Sequence, residues 1–352
     1  MKTALLPAED PASTRAAVVA AAAALRRGEV VAIPTETVYG VAALPFAEPA
    51  LRAAKERDDG KPITWAVASR EQAALLIDLS ARGASKLATR FWPGPLTLVA
   101  ARRQGGGTLG VRVPGHRFAK ALLDELDEPL LLTSANRSGE PDARDAKEVA
   151  AALDGRIALI VDGGPAQLGQ ASTVVSFAGT QPVIHREGLI DRAMVLRTAA
   201  RHVLFVCSGN TCRSPMAEAL LRARWAARLG VDPARLLEHG GVVGSAGTHA
   251  APGMEASEEA IALLAQRSID LARHRSRPVT PELMKQADDL FAMTDGHLRA
   301  LRKIGPEWAP KALLLDPNGN DVDDPIGAGP RAYRRCLKSI ERALEARFPE
   351  LL

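Results

Sequence analysis

Apolar residues fill positions 16–25 without interruption, a run of alanine and valine closed by Leu25. It is too short to cross a membrane and predicts a buried or amphipathic helix. Glu9 and Asp10 precede it, Arg26 and Arg27 follow it, and no cleavage-like site appears, so it does not read as a secretory leader. Residues 29–33 then form a short apolar strand closed by Pro34. Helix-like and strand-like segments alternate to about Arg186, with strands expected at 129–133 and 172–177. A polar, helix-like stretch at 191–201 reads as a linker. After it the pattern restarts: a buried strand at 202–206, a Gly-containing loop, and a helix from Pro215 to about Leu229. Further helices are expected at 257–266, 281–287 and 332–347, and a strand at 289–293. Strand, loop, helix is how an α/β domain begins. With 352 residues and no internal repeat, the chain is expected to hold two unlike α/β domains, 1–194 and 195–352.

Composition changes this picture little. Charged residues make up 24% and hydrophobic ones 47%, which excludes a disordered or fibrous chain. The formal net charge of +4 suits an anionic partner (nucleotide, phosphoprotein or RNA) without selecting one. Three cysteines form neither a disulfide framework nor a zinc-ligand spacing. A reduced, cytoplasmic setting with no membrane partner is expected.

The sharpest chemistry is Cys207-Ser-Gly-Asn-Thr-Cys-Arg213-Ser214-Pro215, directly after a predicted strand. Five residues between cysteine and arginine let a loop curl so that backbone N–H groups converge on one anion, and the following helix adds its positive end. In such a ring a thiol ionises readily, and the thiolate is a nucleophile. Arg213 offers a planar fork for two phosphoryl oxygens, and Ser214 is placed to hydrogen-bond the sulfur. Gly209 and Asn210 tolerate left-handed backbone, and Pro215 suits a first helical turn. By itself the spacing also fits a buried structural cysteine followed by an unrelated arginine.

Further segments extend the match. Ser245-Ala-Gly-Thr248, His274-Arg-Ser-Arg277 and Asp324-Pro325 stand in the order found in low-molecular-weight protein phosphatases, which this half resembles. The resemblance implies a doubly wound parallel sheet and a phosphate loop containing Ser208, Gly209, Asn210, Thr211, Cys212 and Ser214. It also implies that Cys207 attacks phosphorus, Arg213 holds the phosphoryl group, and Asp324 acts as general acid and then base. No cofactor is expected in this half. Thr211 stands where phosphotyrosine-directed members carry a bulky aliphatic residue, and Ile326-Gly327 replaces their tyrosines. Thr211 resembles the arginine-phosphatase branch, so phosphoarginine is set slightly ahead of phosphotyrosine. Cys336, on a late helix, is expected to pack in the core, which argues against an arsenate-reducing relay.

The first half has no Walker loop and no Gly-x-Gly-x-x-Gly after a strand. Lys55, Arg57 and Lys61 crowd a helix end with enough positive charge for a polyphosphate. Ser134 and Asn136 follow an apolar strand, where polar loop groups normally face a ligand. The same residues also fit a solvated basic helix end and an ordinary turn. Pro34-Thr-Glu-Thr-Val-Tyr-Gly40, Lys55-x-Arg57, Trp92-Pro-Gly-Pro95, Val111-Arg-Val-Pro114, Ser134-x-Asn136, Ser172-Thr-Val174 and His185-Arg-x-Gly188 occur in order. Together they resemble the YrdC/TsaC family, over roughly residues 15–190.

That resemblance implies a twisted open α/β sheet with a basic concave groove, and an activity joining L-threonine, bicarbonate and ATP into threonylcarbamoyl-AMP and pyrophosphate. Its product serves an adenosine of tRNA, making tRNA or its modifying machinery an implied partner. Thr35, Arg112, Ser134 and Ser172 would hold threonine or its carbamate. Lys55, Arg57, Lys61, Thr108, Asn136, Arg144 and Arg186 would hold ATP, accompanied by Mg²⁺. Asp58 and Asp59 depart from the family pattern, and carboxylates there repel phosphate unless they bind Mg²⁺. Trp92, His116 and His185 are expected to be structural. The competing expectation is an RNA- or nucleotide-binding module serving a tyrosine phosphatase.

Overall fold

The computed structural model describes residues 2–351, and the chain divides into two compact units, one ending at Ala199 and the other starting at Ala200. Ten strands form the sheet of the first unit: β1 (Ala4–Pro7), β2 (Val31–Ile33), β3 (Gly40–Ala43), β4 (Thr64–Ala66), β5 (Leu96–Ala101), β6 (Thr108–Arg112), β7 (Leu130–Ser134), β8 (Leu159–Asp162), β9 (Thr173–Ala178) and β10 (Gln181–Arg186). Their order is β1-β8-β2-β3-β7-β4-β6-β5-β9-β10, with β1 and β10 as open edges. The sheet is mixed: β1/β8, β2/β8, β4/β6 and β5/β9 run parallel, and the other pairs antiparallel.

The apolar run at 16–25 lies inside helix Pro11–Arg26. The helix starts earlier than the run because Asp10 accepts hydrogen bonds from the Ala12 and Ser13 amides, and Pro11 occupies the first turn. Its small side chains let it lie close against helix Arg117–Leu126. Val31 and Ile33 join the core on that face of the sheet, while Val30 and Ala32 join the core on the opposite face, under helix Glu48–Lys55. Burial of both faces explains why residues 30–33 are continuously apolar rather than alternating.

The stretch expected to link the domains is built differently. Residues 192–199 form helix Arg192–Ala199, which packs on helix Arg82–Phe91 and β10 through buried Val195 and Ala199. It belongs to the first unit, so the division falls five residues later than the boundary read from polarity.

In the second unit β11 (Arg201–Cys207), β12 (Gly241–Gly247), β13 (Asp289–Ala292) and β14 (Ala312–Leu314) form a fully parallel sheet in the order β12-β11-β13-β14. Val203, Phe205 and Cys207 enter one core, under helices Arg213–Leu229 and Gly329–Arg347. Leu204 and Val206 enter the other, beside helices Pro281–Gln286 and Asp295–Ile304. The strand order reverses beside β11, and in such sheets the ligand crevice opens at the carboxyl ends there. Cys207 is the last residue of β11. Among the described residues no helix is long and apolar enough to cross a membrane.

Candidate active sites

Burial locates both sites. The buried polar residues of the second unit are Asn210, Arg213, Ser214, Ser245, Ser276 and His297. All but Ser276 fall in two hydrogen-bonded sets along the loop from Cys207 to Ser214, one around Asn210 and one around Ser208. The Cys207 sulfur lies 2.9 Å from Ser214 Oγ. Asn210 Nδ2 donates to that same oxygen at 3.0 Å, so the Ser214 proton is left for the sulfur or for the Ala246 carbonyl at 3.3 Å. Asn210 has φ +54° and is pinned at both ends of its amide. Nδ2 also donates to Ser245 Oγ at 2.8 Å, and Oδ1 accepts from the Arg277 amide at 2.9 Å. His274 Nε2 meets the Asn210 carbonyl at 2.7 Å. Thus His274, Arg277 and Ser245 shape the loop from outside. At Gly247 a Cβ would stand 2.3 Å from the Ser208 carbonyl oxygen; only glycine lets β12 end so close to the loop.

Arg213 opens the helix, and its Nη2 donates to Asp324 at 2.5 Å and to Ser208 Oγ at 3.3 Å. Nη1 donates to the Val322 carbonyl at 3.2 Å, and the buried Nε has no partner. Arg213 and Asp324 therefore meet beside Ser208, the residue that follows Cys207. Thr211 is half-buried, its hydroxyl 3.6 Å from Cys212 Sγ, and Cys212 sits 3.1 Å from the Tyr333 hydroxyl. Cys336 is buried in the core, and burial pushes its thiol up to about 12. His297 and Tyr333 carried no signal in the sequence; both sit on helices whose pattern reads as ordinary amphipathic packing.

In the first unit Thr35, Glu36, Thr37, Lys55, Thr97, Arg112, Asn136, Ser172 and Thr173 are the buried polar residues. They fall into two groups. One surrounds Lys55, whose ammonium donates to the Ser134 carbonyl and, at 3.2 Å, to Asn136 Oδ1. Burial, with Arg57 nearby, lowers Lys55 to about 8. Arg57 is lowered by burial too; its Nη2 donates to the Pro62 carbonyl, and its buried Nε has no partner. Lys61 reaches Ser138 Oγ at 3.2 Å and pairs with Asp58 at 3.0 Å. Asp58 is thereby engaged at the surface, and Asp59 is exposed.

The other group surrounds Arg112, at the end of β6. Its Nη2 pairs with Glu36 at 2.6 Å and its Nε donates to the Gly94 carbonyl at 3.1 Å. Glu36 also accepts from the His116 amide at 3.1 Å. Burial works to raise the Glu36 carboxyl, but Arg112 and the backbone N–H groups outweigh it and hold it below its ordinary value. Beside this pair Ser172 Oγ meets Thr97 Oγ1 at 2.9 Å and accepts from Arg186 at 3.1 Å. Thr35 adjoins Glu36 and turns its hydroxyl to the Val38 carbonyl at 2.5 Å. Asp142 carries charge to both Lys55 and Arg186, and with Asn136 and Arg144 it lines a cavity of about 710 Å³.

Two expected ligands are exposed rather than buried with these groups. Thr108 is exposed at the end of β6 away from Arg112, and Arg144 is exposed at the cavity rim. Trp92 packs, donating its indole N–H to the Leu96 carbonyl at 2.8 Å. His116 caps helix Arg117–Leu126, and His185 meets Ser176 Oγ at 2.7 Å. Asp142 has no signal in the sequence, whereas Glu36 does: it is an acid just past a buried strand, inside Pro34–Gly40.

Residues 23–188 match the Sua5/YciO/YrdC family, described as "Telomere recombination". Residues 202–351 match the family described as "Low molecular weight phosphotyrosine protein phosphatase". A threonylcarbamoyl-AMP synthase of Bacillus subtilis is 41% identical over 187 residues, covering 50% of this chain and 54% of the relative. A putative threonylcarbamoyl-AMP synthase of Mycobacterium tuberculosis is 34% identical, covering 52% and 88%. A protein-arginine-phosphatase of Bacillus subtilis is 36% identical, covering 40% of this chain and 91% of the relative. The chain belongs to both families. The chain thus spans only about half the length of the Bacillus synthase and nearly all of the phosphatase. Among solved structures, Sua5 of P. abyssi complexed with L-threonine shares 25% identity at a TM-score of 0.52, covering 69% of this chain and 92% of the other. The Sua5/YrdC half carries the Lys55 and Arg112 groups, and the phosphatase half carries the Cys207 loop.

Proposed function

We propose that the chain is bifunctional, with a threonylcarbamoyl-AMP synthase in the first unit and a cysteine-dependent protein phosphatase in the second. One observation supports both. Arg57 and Arg213, the arginines assigned to phosphate in each half, both keep a buried Nε without a partner. A buried unsatisfied donor is costly, and an oxyanion ligand would satisfy each.

In the first unit the threonine amine takes up carbon dioxide from bicarbonate as a carbamate. A carbamate oxygen attacks the α-phosphorus of ATP, and pyrophosphate leaves. Lys55, Arg57, Lys61, Asn136 and Arg186 would hold the nucleotide, and Thr35, Arg112, Ser134 and Ser172 the amino acid. Catalysis of this kind rests on placement and charge stabilisation. Mg²⁺ would enter with the nucleotide. It habitually keeps waters and binds substrate phosphates with one or two carboxylates, and Asp142, near Lys55 and Arg186, and Asp58, paired with Lys61, are carboxylates set among the cations. The product would serve tRNA modification. With labelled ATP, bicarbonate and Mg²⁺, pyrophosphate release is expected only when L-threonine is present. Release independent of threonine, or none, rejects the synthase.

In the second unit the Cys207 thiolate bonds to phosphorus while the bond to the leaving group breaks and Asp324 supplies the leaving-group proton. Asp324 then takes a proton from the water that releases phosphate from the cysteinyl intermediate. The substrate would be a phosphoprotein, with phosphoarginine ahead of phosphotyrosine. Thr211 supports that order, since its hydroxyl at the loop can meet a guanidinium nitrogen and a branched alkyl group cannot. Thr211→Ile is expected to shift the ratio of kcat/KM values toward phosphotyrosine by about tenfold, the scale of one hydrogen bond to a charged group. An unchanged ratio rejects the role given to Thr211.

A further inference from the structure

His297 is a buried titratable group that the chemistry above does not use. It lies in the first turn of helix Asp295–Ile304, with its ring turned toward the phosphate loop. Nε2 stands 2.9 Å from Ser208 Oγ, and Nδ1 stands 2.9 Å from Thr294 Oγ1. Ser208 Oγ is also 3.3 Å from Arg213 Nη2. A guanidinium only donates, so Ser208 must accept from Arg213, which leaves the serine proton seeking an acceptor. A neutral ring with its proton on Nδ1 supplies that acceptor at Nε2 and donates to Thr294 Oγ1. The surroundings favour a neutral ring: burial lowers His297 to about 4, Arg213 adds to the lowering, and Asp324 and Asp321 only partly oppose it.

We propose that His297 is a positioning residue of the phosphatase, fixing the Ser208 hydroxyl so that its lone pair holds the Arg213 fork toward the phosphoryl group. This rests on the phosphatase reading of the second unit. Arg213 has three fixed contacts, to Val322, Ser208 and Asp324. Asp324 must change protonation during the reaction, which weakens its grip on the arginine. The Ser208 contact, backed by His297, keeps its geometry throughout.

The test is a double-mutant cycle on the full chain, read by hydrolysis of an aryl phosphate and by competitive inhibition with inorganic phosphate. His297→Leu, which fills the space without an acceptor, is expected to lower kcat/KM and raise the phosphate inhibition constant about tenfold. His297→Gln, whose Oε1 can accept from Ser208, should stay within about threefold of the wild type. Ser208→Ala should match His297→Leu, and the double variant should be no worse than either single change. Effects that multiply in the double variant would show that His297 acts only through general packing, and the proposal falls. An unchanged His297→Leu overturns it as well. If His297→Leu fails to fold, a Gln variant as impaired as Ser208→Ala overturns it, and one near wild type upholds it. Absence of wild-type turnover of both the aryl phosphate and phosphoarginine would instead reject the phosphatase reading on which the proposal stands.

Discussion

Cys207→Ser is expected to reduce phosphatase turnover by about four orders of magnitude or more, the usual consequence of removing a covalent nucleophile from a preformed site. The change is nearly isosteric, and Cys207 ends a strand whose backbone is held by β12 on one side and β13 on the other. Arg213, Ser208 and the Asn210 network do not depend on the sulfur. Binding of inorganic phosphate should therefore persist, and the melting transition should move little. Sulfur is intrinsically the far stronger nucleophile toward phosphorus, and a neutral serine hydroxyl in the same place is a weak one. Threonine-dependent pyrophosphate release should be untouched, because Cys207 belongs to the second unit. A variant that retains more than about one hundredth of the wild-type rate would remove Cys207 from the nucleophile's role.

The contrast between the two halves shows what a sequence exposes. From Cys207 to Ser214 the chemistry is contiguous, and one strand–loop–helix step places nucleophile, donors and arginine, so the spacing could be read directly. Asp324 lies 111 residues beyond Arg213 in the chain, and only the family resemblance tied it to the loop. In the first unit the pairings that tie the buried groups together are distant: Lys55 with Ser134 and Arg112 with Glu36. The strand order that joins them, with β7 between β3 and β4 and β9 beside β5, has no local signature. Polarity misled at 191–201 for a physical reason. Val195, Leu196 and Ala199 are buried and seat a short helix that also carries Arg192, Arg197 and Thr198. His297 went unread because a histidine in the first turn of an amphipathic helix is indistinguishable in sequence from a solvated one.

The largest effect in the first unit is expected at Arg112, and it should appear in stability as well as activity. Arg112 and Glu36 side chains are 7% and 9% exposed and pair at 2.6 Å. Removing one partner of such a pair leaves an uncompensated buried charge and typically costs about 3–5 kcal/mol. Arg112→Leu should therefore lower the melting temperature of the first unit by about 6–20 °C, at roughly 2–4 °C per kcal/mol for a unit of this size. Adding Glu36→Gln to Arg112→Leu removes the stranded charge and should recover most of that loss. Threonine-dependent pyrophosphate release should not return, because the guanidinium assigned to the amino acid is still missing. The sign of the pH dependence gives a second check. In the wild type Glu36 is held below its ordinary value, so the pair contributes stability above the unfolded pKa of about 4.3 and loses it as pH falls through the lowered value. In Arg112→Leu the attraction is gone, and burial, the largest influence on the carboxyl, is opposed only by backbone N–H groups, so the carboxyl rises. That variant should be least stable relative to the wild type at neutral pH, and the gap should narrow on acidification as Glu36 takes up a proton. A gap that stays constant from pH 7 to 4.5, or a double variant that regains both stability and activity, would mean that Arg112 is neither balanced by Glu36 nor engaged with substrate.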